Sequence, residues 1–263
     1  LIPYIVAYFI LFFDVYWFYK SFSLAITAFI ASKKIKEAEN EDWLAKIRKL
    51  KNYRKANHIV IIPNYTESVA KLRATLNSIA FQNFPTKKIF VVLGMEAREE
   101  KAAARAKILI HEFKNIFGGI FATFHPDIPG EIKGKSSNQS FASKVIYRKL
   151  VLKKIIDINY ATISSVDADS IFDRQYFSYL TYEFLTDPKP YNKFWQSANV
   201  NHNNFWNVPA PIRIIAFFGS LWRTAVLVQG DRLISNSTYS LSFALLKKIG
   251  FWDTDVIPED YRI

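Results

Sequence analysis

The stretch Ala161-Thr-Ile-Ser-Ser-Val-Asp-Ala-Asp169 decides how this chain is read. Its first six residues form an apolar run that reads as a buried strand, and two carboxylates follow one residue apart. Side chains at i and i+2 of an extended chain point the same way. Asp167 and Asp169 are therefore expected to converge at the C-terminal end of a strand, where open α/β sheets place their ligands. Hard oxygen ligands in that position suit a divalent cation that in turn holds a phosphate. A second Asp-x-Asp stands at Asp253 and Asp255, but position at a strand end favours the first copy.

Outward from this stretch, strands and helices alternate. His58-Ile-Val-Ile-Ile-Pro63 reads as a buried strand stopped by proline. Glu67 to Gln82 carries Val69, Leu72, Leu76 and Ile79 at helical spacing. Lys88-Ile-Phe-Val-Val-Leu93 is a second strand, and Glu96 to Phe117 a second helix with Ala106, Leu109, Ile110 and Phe113 on one face. Ile120 to Phe124 is a third strand. A loop rich in Pro, Gly, Ser and Lys follows from His125 to Asn138, then a helix from about Phe141 to Ile156. Strands alternating with helices of this length predict an α/β sheet with crossover connections. Later, Phe194 to Val200 is expected to be a strand. Pro211 to Val228 suits a core helix or one at a bilayer surface, and is read here as a helix packed beside the site.

The first residues differ in kind. Leu1 to Tyr19 holds one formal charge, Asp14, and a second apolar stretch, Phe22 to Ala31, follows Lys20. Neither run alone reaches the roughly 20 residues that cross a bilayer, but joined they supply one span, with Tyr16, Trp17 and Tyr19 at an interface. Lys33, Lys34 and Lys36 then place the globular part of the chain in the cytoplasm by the positive-inside rule. The organisation expected is a transmembrane segment over 1–31, a charged helical connector over 32–57 and a catalytic domain over 58–263. Cysteine is absent, which excludes disulfides and thiolate metal sites. The net charge of +12 attracts polyanions such as anionic lipid or nucleotide phosphates. Basic residues are spread along the chain and no nucleic-acid motif occurs, so nucleic acid is not an expected partner.

Four further clusters fall at strand ends or in loops. In Pro63-Asn-Tyr-Thr-Glu67, Tyr65 can stack on a flat base and Glu67 can accept from base or ribose groups; equally, Thr66 or Asn64 caps the helix and Glu67 meets its dipole. Glu96 can read a ribose hydroxyl or base edge, or serve as a first-turn helix acid. Gly130-Glu-Ile-Lys-Gly-Lys-Ser-Ser-Asn138 lacks the spacing of a P-loop, yet Lys135 can reach a phosphate and Asn138 a nucleotide. Asp260, in Ile257-Pro-Glu-Asp260 after Gly250-Phe-Trp252, is a candidate general base. Trp195-Gln196 and Asn201-His-Asn-Asn204 can contact sugar hydroxyls, and His202 has no second histidine at ligand spacing.

The ordered series of Pro-x-Tyr-x-Glu, an acidic strand end, Gly-Lys-x-x-Asn, Asp-Ala-Asp, Gly-Phe-Trp and Glu-Asp resembles the inverting family 2 glycosyltransferases, especially the membrane-anchored members similar to cellulose, chitin and hyaluronan synthases. The resemblance covers His58 to Ile263. It implies a GT-A fold, an α/β nucleotide-diphospho-sugar transferase architecture, and a metal-dependent, inverting transfer from a UDP-sugar to the hydroxyl of a glycan or lipid-linked acceptor in polysaccharide or glycoconjugate synthesis. By that resemblance Pro63, Tyr65, Glu67 and Glu96 hold the nucleoside, and Lys135 and Asn138 line the donor pocket. Asp167 contacts the donor, Asp169 binds Mg²⁺ or Mn²⁺ with Asp167 beside it, and Asp260 is the base. The chain departs from the common pattern at Thr66, where many relatives have Asn, and at Glu96, where many have Asp. The Gln-x-x-Arg-Trp motif is expected downstream of Ile263, so the sequence reads as the front part of a longer protein. The contrasting expectation is a non-catalytic nucleotide-sugar-binding membrane subunit; a basic lipid-binding protein is a third.

Overall fold

Four apolar runs of the sequence become four parallel strands in the computed structural model, which describes residues 2–201, 205–229 and 237–257. The first half of the chain comprises helices α1 (Ile2–Asn40) and α2 (Trp43–Arg48), strand β1 (Asn57–Pro63), helix α3 (Val69–Ala80), strand β2 (Ile89–Glu96), helix α4 (Ala102–Phe113) and strand β3 (Gly119–His125). Then come α5 (Lys135–Ile146), β4 (Ala161–Ser165), α6 (Tyr176–Thr186), β5 (Phe194–Gln196), α7 (Ala210–Gln229), β6 (Tyr239–Ser242) and α8 (Phe243–Lys248). The elements fall into two compact units: α1 and α7 make one, and the sheet with its flanking helices makes the other.

The sheet order is β3-β2-β1-β4-β6-β5. β1 to β4 run parallel, β6 is antiparallel to β4, and β5 is antiparallel to β6. The direction of winding reverses between β1 and β4, which makes a crevice at their C-terminal ends. Period-two alternation sorts each central strand onto two cores. Val60, Ile62, Val91 and Leu93 face Leu72 and Leu76 of α3, Leu109 of α4, Phe177 of α6 and Ile47 of α2. Ile59, Ile61, Val92 and Ile163 face Ala142 and Ile146 of α5 and Leu246 of α8. Burial on both faces is why β1 and β2 read as unbroken apolar runs.

Several boundaries differ from those expected. α4 starts at Ala102, six residues after Glu96, because β2 continues through Glu96 in register with β3 to its last pair, Glu96 with His125. α5 starts at Lys135 instead of Phe141, and its buried positions include Ser136, Ser137, Asn138, Gln139, Ser140 and Ser143. An apolar-periodicity count cannot see a helix whose inward face is polar. It ends at Ile146, where a wider π turn over Tyr147–Val151 takes over. The strand expected over Phe194 to Val200 is three residues long, and β6 escapes a hydropathy reading because half of it is serine. The Ser240 hydroxyl meets that of Ser164 on the adjacent strand at 2.6 Å, which satisfies both groups within the sheet.

In the other unit, α1 runs unbroken through Lys20 and on to Asn40, and every side chain from Ile2 to Phe22 is exposed. α7 groups with α1, not with the sheet, where its apolar composition suggests it should pack.

Candidate active site

A cavity of about 450 Å³ opens at the C-terminal ends of β1, β2 and β4, within the range of small-molecule sites. Its walls come from the loop after β1, the end of β2, the first turn of α5 and the turn after β4. Every residue expected there from Pro63 to Asp169 lines it: Pro63, Tyr65, Glu67, Glu96, Lys135, Asn138, Asp167 and Asp169. Among the described residues, Asn64, Lys71, Arg98, Gly134 and Ala168 line it as well. Asp260 lies outside the described residues, as do His202, Asn203 and Asn204.

The turn after β4 sets the two aspartates apart. β4 stops at Ser165, and the Ser170 N–H donates to the Asp167 carbonyl at 3.1 Å, so the chain turns between the two side chains. The expectation that an extended backbone aligns them therefore stops short of Asp169. Asp167 accepts from Lys135 Nζ at 2.8 Å on Oδ1 and from the Ser237 hydroxyl on Oδ2. Burial pushes its carboxyl up, but the Lys135 ammonium and the hydrogen bonds from Lys135 and Ser237 outweigh that and hold it below the usual range. The pair is present through the neutral range and is lost only as pH falls through that lowered value. Asp169 is 65% exposed, with Lys71 Nζ at 3.9 Å.

Lys135 and Asn138 share a face of α5, three residues apart. Gly134 enters the helix in extended conformation and brings that face to the cavity. Asn138 Nδ2 donates to the Gly94 carbonyl at 3.0 Å and to Glu96 Oε1 at 2.8 Å. Glu96 is nearly buried: His125 Nδ1 lies 3.6 Å from Oε1, Arg98 Nε lies 3.4 Å from Oε2, and His125 Nε2 meets Glu131 at 3.0 Å. Glu96 is thus a strand-end carboxylate held by three side chains, not a first-turn helix acid. Glu67 accepts the Tyr65 N–H at 2.7 Å and braces its own loop, while the cap of α3 is Ser68, neither Thr66 nor Asn64. Arg98 stacks on the Tyr65 ring with 4.5 Å to the centroid.

Asn64 Oδ1 and Asn138 Oδ1 are buried in this wall with no hydrogen-bond partner among the described residues. Gly94 makes the close packing possible, since a methyl group there would overlap Asn138 Oδ1 and press on Pro63 Cα at 3.3 Å. We expect Gly94→Ala to cost about 1–3 kcal/mol of stability as the Asn138 amide is displaced, read as a fall in the denaturation midpoint. An unchanged midpoint would show that the wall yields freely.

The remaining sequence candidates lie elsewhere. Trp195 meets Phe184 edge-on at 5.8 Å, and Gln196 Nε2 donates to the Thr238 carbonyl, so both serve the sheet edge. The Asp253 carbonyl accepts from the Ser136 hydroxyl and the Thr254 carbonyl from the Ile132 N–H, so the second Asp-x-Asp fastens the loop before α5. Lys71, Arg98 and Ser237 join the site without a clear mark in the sequence. Lys71 and Arg98 are signalled only by standing two to four residues beyond acidic candidates, and nothing local marks Ser237.

The acidic groups suit one kind of cation site. No group of three or more His, Cys, Asp or Glu side chains is arranged for a metal among the described residues. Both Asp167 oxygens are engaged, and Asp169 faces solvent. The set fits a cation that takes one or two carboxylates and completes its shell with phosphate oxygens and water, not one held in a protein cage.

No protein-family model and no curated protein matches the chain by sequence. Among solved structures, the mannosyltransferase PcManGT from Pyrobaculum calidifontis, determined in complex with GDP-Man and Mn²⁺, superposes with a TM-score of 0.51 at 18% identity, covering 90% of this chain and 61% of that one. S. aureus TarS 1–349 gives a TM-score of 0.45 at 13% identity, over 78% of this chain and 53% of that one. The same protein with UDP-GlcNAc gives 0.43 at 12%, over 76% and 49%. The chain spans about three fifths of the length of the mannosyltransferase. Likeness at this identity shows the fold: a mixed α/β sheet of the GT-A glycosyltransferase type, preceded by an apolar helix long enough to cross a membrane.

Proposed function

We propose that this chain is the donor-binding part of a membrane-anchored, inverting glycosyltransferase that moves a sugar from a nucleotide-sugar, first of all a UDP-sugar, to a hydroxyl of a glycan or lipid-linked acceptor. The observation that carries this reading is the convergence of Tyr65, Glu96, Lys135, Asn138, Asp167 and Asp169 on one cavity at the switch point of the sheet. In this reading the family is that of the family 2 enzymes similar to cellulose, chitin and hyaluronan synthases. Residues 1–31 span the bilayer, 32–57 connect, and 58–263 form the catalytic domain on the cytoplasmic side.

The nucleoside lies against Tyr65, Glu67 and Glu96, with Asn138 lining the donor pocket. Lys135 stands where the diphosphate lies and stabilises the charge that grows on the leaving group. Asp260 takes the proton of the acceptor hydroxyl as that oxygen bonds to the anomeric carbon and the diphosphate departs with the bonding pair. Asp169, with Asp167 beside it, would hold Mg²⁺ or Mn²⁺, which would supply positive charge against the diphosphate.

The test is incorporation of labelled sugar by the full-length protein in membranes, with UDP- and GDP-sugars and Mn²⁺. Transfer from one donor supports the reading. Donor binding without transfer turns it into the non-catalytic subunit, and neither binding nor transfer overturns it. Asp169→Ala is expected to lower donor affinity in Mn²⁺ to the level seen in chelator. If calorimetry with and without Mn²⁺ gives the same two affinities as the parent protein, Asp169 is not the cation ligand.

A further inference from the structure

α7 is amphipathic in the reverse sense of a helix in water. Its inward stripe is polar or small: Arg213, Ala216, Ser220 and Thr224 recur at intervals of three or four, with Ser220 and Thr224 buried. The Ser220 and Thr224 hydroxyls turn back onto the helix, to the carbonyls of Ala216 at 2.8 Å and Ser220 at 3.0 Å. In the same unit α7 packs against α1, whose buried residues are Ala28 and Ala31, and Gln229 Nε2 reaches Thr27 Oγ1 at 3.4 Å. The outward stripe is Ile214, Ile215, Phe218 and Trp222, each more than half exposed, with Ile215 at 72%. A helix in water turns its apolar stripe to the core and its polar one to solvent. A continuous apolar face this large on the outside calls for an apolar surrounding. The neighbouring α1, exposed and apolar from Ile2 through Phe22, calls for the same one.

Connectivity fixes how α7 meets a bilayer. Its 20 residues measure about 30 Å, long enough to cross. The excursion that contains it, however, leaves the sheet at Gln196 and re-enters at Tyr239, and these two residues are paired neighbours. Ten residue steps separate Gln229 from Tyr239, and they include Gly230-Asp-Arg-Leu-Ile-Ser-Asn236. A spanning α7 would force either those steps or the thirteen residues 197–209 to recross the hydrocarbon, and neither stretch is long enough to do so as a helix. A ten-residue helix covers only about 15 Å, and extended chain would leave its backbone groups, Asp231 and Arg232 unsatisfied in lipid.

We propose that α7 is an interfacial membrane helix. It lies within one leaflet, turns Ile214, Ile215, Phe218 and Trp222 into the acyl chains, and keeps both ends at one surface of the bilayer. The proposal rests on α1 being embedded in the bilayer and is independent of sugar transfer. It gives the protein a second, monotopic attachment that α1 alone does not supply.

The chain has no cysteine, so single cysteines report without background. We would label Phe218→Cys and, separately, Trp222→Cys in the full-length protein in vesicles with an environment-sensitive fluorophore. Nitroxide lipids would then locate the probe. The expected result is quenching strongest from nitroxides near the headgroup end, at roughly 5–10 Å below that level. Ala210→Cys and Gln229→Cys should react with a membrane-impermeant maleimide from one and the same side. Reaction from opposite sides would mean that α7 spans. No quenching by any nitroxide lipid at either position would mean that protein or water covers this face. Phe12→Cys in α1 is the control: if its probe also escapes lipid quenching, the membrane reading of α1 has failed along with that of α7.

Discussion

Asp260→Asn is expected to lower sugar transfer by about 10²–10⁴-fold while leaving donor affinity nearly unchanged. Asparagine keeps the size and hydrogen-bonding reach of the side chain and removes only its capacity to take a proton. Among the described residues the cavity is lined by other segments: the loop after β1, the end of β2, the start of α5 and the turn after β4. On the proposed reading binding and proton transfer fall to separate residues, and a base variant should divide kcat from donor Kd. Turnover kinetics paired with calorimetry of the nucleotide-sugar read the two together. A parallel loss in both would place Asp260 in donor binding. Unchanged turnover would pass the role of base to another residue.

The second large effect concerns stability in acid. His58 is fully buried, with Nδ1 2.6 Å from Thr162 Oγ1, Nε2 2.8 Å from Thr181 Oγ1, and the rings of Phe84 and Phe177 against it. Burial lowers its pKa from 6.5 to about 3. The folded protein keeps this imidazole neutral, whereas the unfolded chain takes up a proton as pH falls through 6.5. Stability from this site is therefore complete above 6.5 and declines from there down to about 3. The loss is on the order of 4 kcal/mol across that window, from the shift and the free-energy equivalent of a pKa unit. His58→Asn removes the titration. Denaturation of parent and variant at pH 7, 6 and 5 should show the steeper fall in the parent, over a range where ordinary carboxylates are still ionised. Equal slopes would mean that His58 is already protonated in the native protein.

Where function rests on strand ends, the amino-acid order is legible. Apolar runs such as Ile59 to Ile62 and Val91 to Leu93 can be little else than central strands, and the residues after them must emerge at one edge. That is why Tyr65, Glu96 and Asp167 can be placed in one site from residue order alone. The start of α5 is hidden because Ser136, Asn138, Gln139 and Ser143 are buried through hydrogen bonds, which hydropathy does not register. α7 reads equally as a core helix or a bilayer-surface helix because hydropathy reports that a helix is apolar, not which solvent it meets. Arg98 and Ser237 enter the site through distant contacts, to the Tyr65 ring and to Asp167, and no local pattern announces such partners.

On the proposed reading, the stack of Arg98 on Tyr65 covers the ring face on which a base would lie. The guanidinium covers the aromatic face offered to a base and reaches the Glu96 carboxylate at 3.4 Å, the group offered to its polar edge. A nucleoside would then enter by exchange, and each contact it made with Tyr65 or Glu96 would be one that Arg98 gives up. A cation on an exposed ring contributes about 0.5–1 kcal/mol, so on the proposed reading the nucleoside would bind about two- to fivefold more weakly than to an uncovered ring. The displaced guanidinium remains beside the cavity as a positive charge facing an anionic ligand. Arg98 would thus oppose the base on entry and face the phosphates afterwards.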